Sequence, residues 1–355
     1  WGALPLAATF AALWWAPTPL SDVGRVTYLT VMVSAFLFFF TVYTAPYLAL
    51  LPELSTTLSG RVRLATWQAV AQIVGLGIAM IGSGILIDSI GFGGMGLALA
   101  GITLATYLVT ALTVREEVRA HASTPGLLQS MALTLRNRPF LYYVGSHVLF
   151  WFGFNAVVTA APYLVTVRMG GEELHTSIAL ATTFVVALAT FPLVGRITQV
   201  RGLKFAMQAS MGALVAALVL WGFVGHWPGG VSPFWQGMAV FIAAGFSIGG
   251  LFAVPNAVVA EIVDYDEHVT GMRREAMFFG VQGLLVKIAM GLSTFVATQV
   301  LELGGFSLEK SFGVQWLGPL AALLVAAGMA VFAGYPEDEV RAARQSAAST
   351  ERSVV

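Results

Sequence analysis

The sequence predicts an all-α polytopic membrane protein. Three observations carry that expectation: a scarcity of charge, ten long apolar stretches, and a lopsided placement of lysine and arginine. Only 10% of the 355 residues are charged while 57% are apolar, and the mean hydropathy is +0.81. A soluble domain carries about 25% charged residues, and a chain with so few cannot present a water-compatible surface of this size. Lys and Arg number 18, as do Asp and Glu, so no net field recruits nucleic acid. There is no cysteine, which excludes disulfide and thiolate–metal frameworks.

One helical crossing of a bilayer needs about 20 apolar residues. Stretches of that kind occupy 1–17, 26–51, 67–87, 93–114, 140–167, 174–195, 205–225, 232–260, 276–301 and 312–334. They are continuous rather than alternating, which predicts helices and not barrel strands. The first is the shortest, and the chain opens inside it at Trp1 with no basic segment of a signal peptide before it.

Connections after the second, fourth, sixth and eighth stretches, with the tail, hold fourteen of the 18 basic residues. They include Arg61, Arg63, Arg136, Arg138, Arg201, Lys204, Arg273 and Arg274. The opposite connections hold only Arg25, Arg168 and Lys310, and Lys287 stands inside a stretch. The rich side is therefore expected to be cytoplasmic, with the C-terminus inside and the protein multi-pass in the inner (plasma) membrane.

The longest link, 115–139, divides the chain into an N-terminal part (1–114) and a six-stretch part (140–335). A polar Ala/Ser-rich tail (336–355), expected to be disordered, follows. A weak repeat flanks the link: APYLALLPEL followed by RVRLATWQAVAQIVG, then AVPNAVVAEI followed by MRREAMFFGVQGLLV. Pro46 precedes Glu53 as Pro255 precedes Glu261, and Arg63 precedes Gln72 by the same nine residues that separate Arg273 from Gln282. Both copies cross the same side, so the repeat is parallel, as in the two halves of a major facilitator fold. Six stretches after the link call for six before it. The expectation is ten of twelve transmembrane helices in this chain, with the first two missing.

Lys287 lies thirteen residues after Arg274, about 20 Å along a helix. A lysine at such depth costs on the order of 2.5–3.5 kcal/mol on insertion scales, so it is expected to face a hydrated cavity or a carboxylate. The alternative is a lysine packed on helix-end carbonyls. The charged crossing of Glu261, Asp264, Asp266, Glu267, Arg273, Arg274 and Glu275 faces a counterpart with Glu53, Arg61 and Arg63. Pairs among Glu53, Arg63, Glu261, Asp264, Arg273 and Arg274 would form a cytoplasmic gate that closes and opens as the halves rock. The alternative is a solvated loop that fixes topology only. Thr41 and Thr44 share a helix face beside Pro46, Gln282 lies roughly on the side of Lys287, and Phe252, Trp151 and Asn155 are placed to line the same space. His147 reads as a packed or hydrogen-bonded histidine rather than a proton relay, since no carboxylate neighbours it at helical spacing. The glycines of 75–84 and Gly245 with Gly249 read as close-packing faces. No phosphate-cradling or hydrolase motif occurs, so an enzyme is not expected.

AEIVDYDEHVTGMRREAMFFGVQGLLVK resembles the signature of the glycoside–pentoside–hexuronide:cation symporters, the melibiose permease-like group of the major facilitator superfamily. APYLALLPELS with RVRLATWQ, and PLVGRITQVRGLK, are similar to two further hallmarks, so the resemblance spans the chain as family helices three to twelve. It implies cation-coupled symport of a sugar- or glycoside-like solute by alternating access. It also implies substrate contacts at Lys287 and Gln282 and a coupling-cation site at Thr41. Thr44 stands where members carry a sugar-binding aspartate, Gln68 or Ala69 where they carry an arginine, and Phe252 where they carry tryptophan. Those departures remove charged sugar contacts. The acidic cation ligands of the family belong to its second helix, so Na⁺ and H⁺ both stay open as coupling ions, and no other cofactor is expected. Two alternatives remain: a lipid-like or amphiphilic solute, which relatives with similar crossings carry, and a non-transporting membrane sensor or scaffold. The expected partners are a small solute and the bilayer, with the protein a monomer.

Overall fold

A computed structural model of the chain describes residues 2–15, 17, 20–54, 58–113, 126–272 and 274–342. Among them every regular element is helical. In chain order these are α1 (Ala3–Leu13), α2 (Asp22–Leu54), α3 (Leu58–Thr113), α4 (Leu127–Thr134), α5 (Arg138–Tyr163), α6 (Glu173–Trp221), α7 (Pro233–Thr270), α8 (Glu275–Gly304) and α9 (Phe312–Ala333). A π-helical turn, Leu164–Arg168, extends α5.

Seven spans among the described residues are long and apolar enough to cross a membrane, with Ala3–Leu13 and Thr66–Ala79 apolar but shorter. The sequence offered ten stretches. Part of the difference lies at glycine breaks. Leu174–Trp221 is one apolar run of 48 residues, about 72 Å of helix against a hydrocarbon core of about 30 Å. It is broken at Gly202, whose φ of 86° and ψ of 172° no helix contains. Gly91 breaks α3 in the same way, with φ 71° and ψ 175°. At these angles a Cβ is penalised, so glycine replaces a loop with a single residue.

The chain packs as two units, Trp1–Leu54 with Val74–Ala122, and Ser55–Ile73 with Ser123–Val355. In the first, α1 lies on α2, with Phe10 and Phe36 rings 5.7 Å apart and the Tyr28 hydroxyl donating to the Ala12 carbonyl at 2.8 Å. Trp14 stacks on Phe92.

The second unit is the bundle of α4 to α9 together with the first turns of α3. Close approach of α6 and α7 follows from small residues. A Cβ at Gly245 would stand 2.6 Å from the Thr183 carbonyl, and one at Gly249 2.7 Å from that of Ala187. By contrast, a Cβ at Gly75, Gly77 or Gly82 would touch nothing within 4 Å, so the close packing expected of that stretch is not found.

Connections of this unit gather at two ends. At one, Arg274 reaches the Ser130 carbonyl, Asn137 reaches Asp266, and the Lys204 ammonium donates to the Tyr335 carbonyl at 2.8 Å. At the other, Arg168 donates to the Val224 carbonyl, Gln315 to that of Gly222, and Tyr163 meets Phe306. The basic-rich and basic-poor connections thus segregate as their alternation in sequence required. Past α9 the chain is not shapeless: residues 337–342 are helical, with the Glu337 carboxylate accepting from the Lys204 amide.

Candidate functional site

Helix α7 runs to Thr270, ten residues past its apolar stretch, because Gly271 in the left-handed region (φ 67°) caps it with its N–H on the Glu267 carbonyl. Glu261, Asp264 and Asp266 are therefore helical. Gly271 turns the chain back, and Arg274 Nη2 donates to both carboxylate oxygens of Asp266, at 2.7 and 2.8 Å. Both side chains are 3% exposed. Asn137 completes the site, donating to Asp266 at 3.0 Å while its own oxygen caps α5 through the Phe140 N–H. The Arg274 side chain, expected among gate charges, is in this structure part of the crossing's own framework. Glu261 and Asp264 are half-buried and Arg63 is exposed. The side chain of Glu53, and Arg273 altogether, lie outside the described residues.

Midway along α5 and α7, and about two turns into α8, a polar and aromatic wall interrupts the apolar bundle. The Trp151 indole N–H donates to His147 Nε2 at 2.9 Å, one turn away on α5, and Gln282 Nε2 of α8 approaches the same nitrogen at 3.2 Å. Trp151 and Phe252 have ring centroids 5.9 Å apart, and Phe154 stands edge-on to both. One turn on from Phe252, the Asn256 carboxamide donates to Gln68 Oε1 at 3.3 Å. Ala69, beside it, is buried with Ala187, Phe191 and Ile248. Pro255, between Phe252 and Asn256, removes one helical N–H and leaves the carbonyl a turn earlier without its helical donor. Of the five expected substrate residues, Phe252 and Gln282 are thus joined through Trp151 and His147, and Gln68 meets Asn256 one turn from Phe252.

Lys287 projects from another side of α8. The buried stripe of that helix runs through Phe278, Ala289, Ser293 and Ala297, and at about 100° per residue Lys287 lies opposite it, with Gly280, Gly283 and Thr294. A Cβ at Gly280 or Gly283 would meet nothing within 4 Å. Asn155 ties that face to α5 by donating to Thr294 Oγ1 at 2.9 Å and to the Met290 carbonyl at 3.0 Å. Thr41 and Thr44 belong to the first unit. Both are half-buried on α2, and the Thr41 hydroxyl donates to the Leu37 carbonyl at 2.8 Å. No group of three or more His, Cys, Asp or Glu that could hold a metal occurs among the described residues.

A cavity of about 40 Å³ adjoins the wall at Phe154 and is lined further by Val158, Phe184, Leu218, Trp221 and Phe241 among others. Its lining includes none of the expected site residues, and its one hydroxyl, Thr183, is spent on the Ala179 and Phe241 carbonyls, so the surface it offers a sugar is apolar.

His147 and Asn256 as partners of the wall were not legible in the sequence. The one signal was the four-residue spacing of His147 and Trp151, which places their side chains one above the other on a helix.

The family model for MFS/sugar transport proteins matches residues 1–335. The chain belongs to this family, a family of membrane transporters and not of enzymes. The isoprimeverose transporter of Lactiplantibacillus pentosus is 23% identical over 90% of this chain and 68% of its own. The glucuronide carrier protein homolog of Escherichia coli K12 is 24% identical over 84% and 68%. An uncharacterised symporter of Synechocystis is 29% identical over 51% of this chain, which spans 32% of that relative's length. In solved structures the fold is similar to that of an outward-facing bacterial homologue of ferroportin, with a TM-score of 0.67 at 13% identity over 95% of this chain and 82% of that one.

Proposed function

We propose that the protein is a secondary active transporter that carries a sugar- or glycoside-like solute by cation-coupled symport and alternating access. The observation that carries this reading is the wall of Trp151, Phe252, Gln282 and the Gln68–Asn256 pair in mid-bundle. Aromatic faces beside amide donors and acceptors suit a ring that is apolar on its faces and hydroxylated at its rim. Family membership and the two sugar-derivative transporters among its relatives support the same solute class. On this reading the chain supplies ten of twelve transmembrane helices, Thr41 belongs to the cation site, and the basic-rich end faces the cytoplasm. Asp264 and Arg273 belong to a gate there.

Counterflow in proteoliposomes of the full-length protein tests the proposal. Labelled isoprimeverose and methyl β-D-glucuronide serve as probes, followed by uptake driven by a Na⁺ or an H⁺ gradient. Exchange of either glycoside, with accumulation under one gradient, is expected. Exchange of lysophosphatidylcholine alone would replace the sugar reading by the lipid one, and no exchange of any probe would leave a sensor. Asp264→Asn and Arg273→Gln should each slow uptake, and wild-type rates in both would remove the gate.

A further inference from the structure

We propose that His147, uncharged and with its proton on Nδ1, is the positioning residue that sets the Trp151 indole and the Gln282 carboxamide at the wall. The proposal rests on reading that wall as the solute site. An indole N–H only donates, and Trp151 directs it at Nε2 from 2.9 Å. That nitrogen is therefore the acceptor, and the imidazole hydrogen sits on Nδ1, which is buried and has no acceptor among the described residues. Gln282 must then present its NH₂ to Nε2, because its oxygen would place one acceptor against another.

The ring cannot turn away from this arrangement. His147 is 4% exposed, with Tyr143 stacked on it at 5.2 Å and 20° and Phe150 at 6.1 Å. Its Nε2 has one lone pair and two donors. The shorter bond, to a neighbour on the same helix, fixes the indole. The longer one, from Gln282 on α8, holds the carboxamide in place. Gln282 Oε1 is buried and has no hydrogen-bond partner among the described residues. With its NH₂ held by His147, the amide keeps an unused acceptor, which is the complement of a solute hydroxyl donor. His147 holds that amide ready, and a hydroxyl engages it.

The test separates this role from transport itself. In full-length protein labelled with ¹⁵N-indole tryptophan in lipid nanodiscs, the Trp151 N–H resonance is assigned by its loss in Trp151→Phe. It is expected downfield and protected from solvent exchange, kept so in His147→Gln, whose side-chain oxygen can accept, and shifted upfield in His147→Phe. In counterflow with the glycoside probe, His147→Phe should raise the half-saturation concentration about tenfold with little change in maximal rate, as one lost hydrogen bond implies. His147→Gln should restore most of it. A Trp151 resonance indifferent to His147→Phe, or a His147→Gln no better than His147→Phe, overturns the proposal. A resonance that responds as expected in a protein that exchanges no probe upholds the positioning role and refutes the transport reading instead.

Discussion

Lys287 stands twelve residues into α8, about 18 Å from its start and near the middle of a bilayer core of about 30 Å. Its face of the helix is made of glycine and threonine rather than the leucine and phenylalanine of the neighbouring exposed stripe at Leu284, Ile288, Leu292 and Phe295. Lys287→Ala is expected to abolish gradient-driven accumulation of the glycoside probe while the protein remains inserted and folded. Normal accumulation would make the lysine structural. This residue was visible in the sequence because an ammonium in an apolar run contradicts its surroundings. His147 is packed and hydrogen-bonded as its surroundings in sequence suggested, but its partner Gln282 was not visible, being 135 residues away.

Among the elements, the crossing from α7 to α8 is held by Asp266 and Arg274. Removing one member of a buried pair leaves the other charged and unsatisfied, a loss of about 3–5 kcal/mol. Asp266→Ala should therefore lower the thermal midpoint of the purified protein sharply, and an unchanged midpoint would show the pair to be dispensable. Asn137→Ala should cost less, about 1 kcal/mol for the lost helix cap, with some addition from its bond to Asp266. The charges themselves were legible in sequence, but their pairing was not. Hydropathy ended the helix at residue 260, whereas the Gly271 cap lets it continue, and only then does the reversal bring positions 266 and 274 together. Gly91 and Gly202 escaped for a related reason, because an average over apolar length does not distinguish a loop from a one-residue corner.

At the scale of the whole molecule, the alternation of basic and basic-poor connections predicts sidedness, and the chain's lack of cysteine makes it measurable. In a cysteine-free background, Glu309→Cys should react with a membrane-impermeant maleimide in intact cells, and Asp338→Cys only after permeabilisation. The reverse pattern would invert the topology. Helicity and the two ends of the second unit could both be read from apolar length and charge, which act locally along the chain. The grouping of residues 55–73 with the later bundle could not, since it depends on side chains such as Ala69 meeting Phe191 and Ile248, far away in sequence. The corner at Gly202 also has a mechanical meaning. Its second arm, Leu203–Trp221, is a stiff rod of about 28 Å. With a single residue as fulcrum, a swing of about 10° would carry the far tip through roughly 5 Å, close to one helical turn. Glu337 accepts from the Lys204 amide beside that corner, so the C-terminal segment is tied to the joint between the two arms.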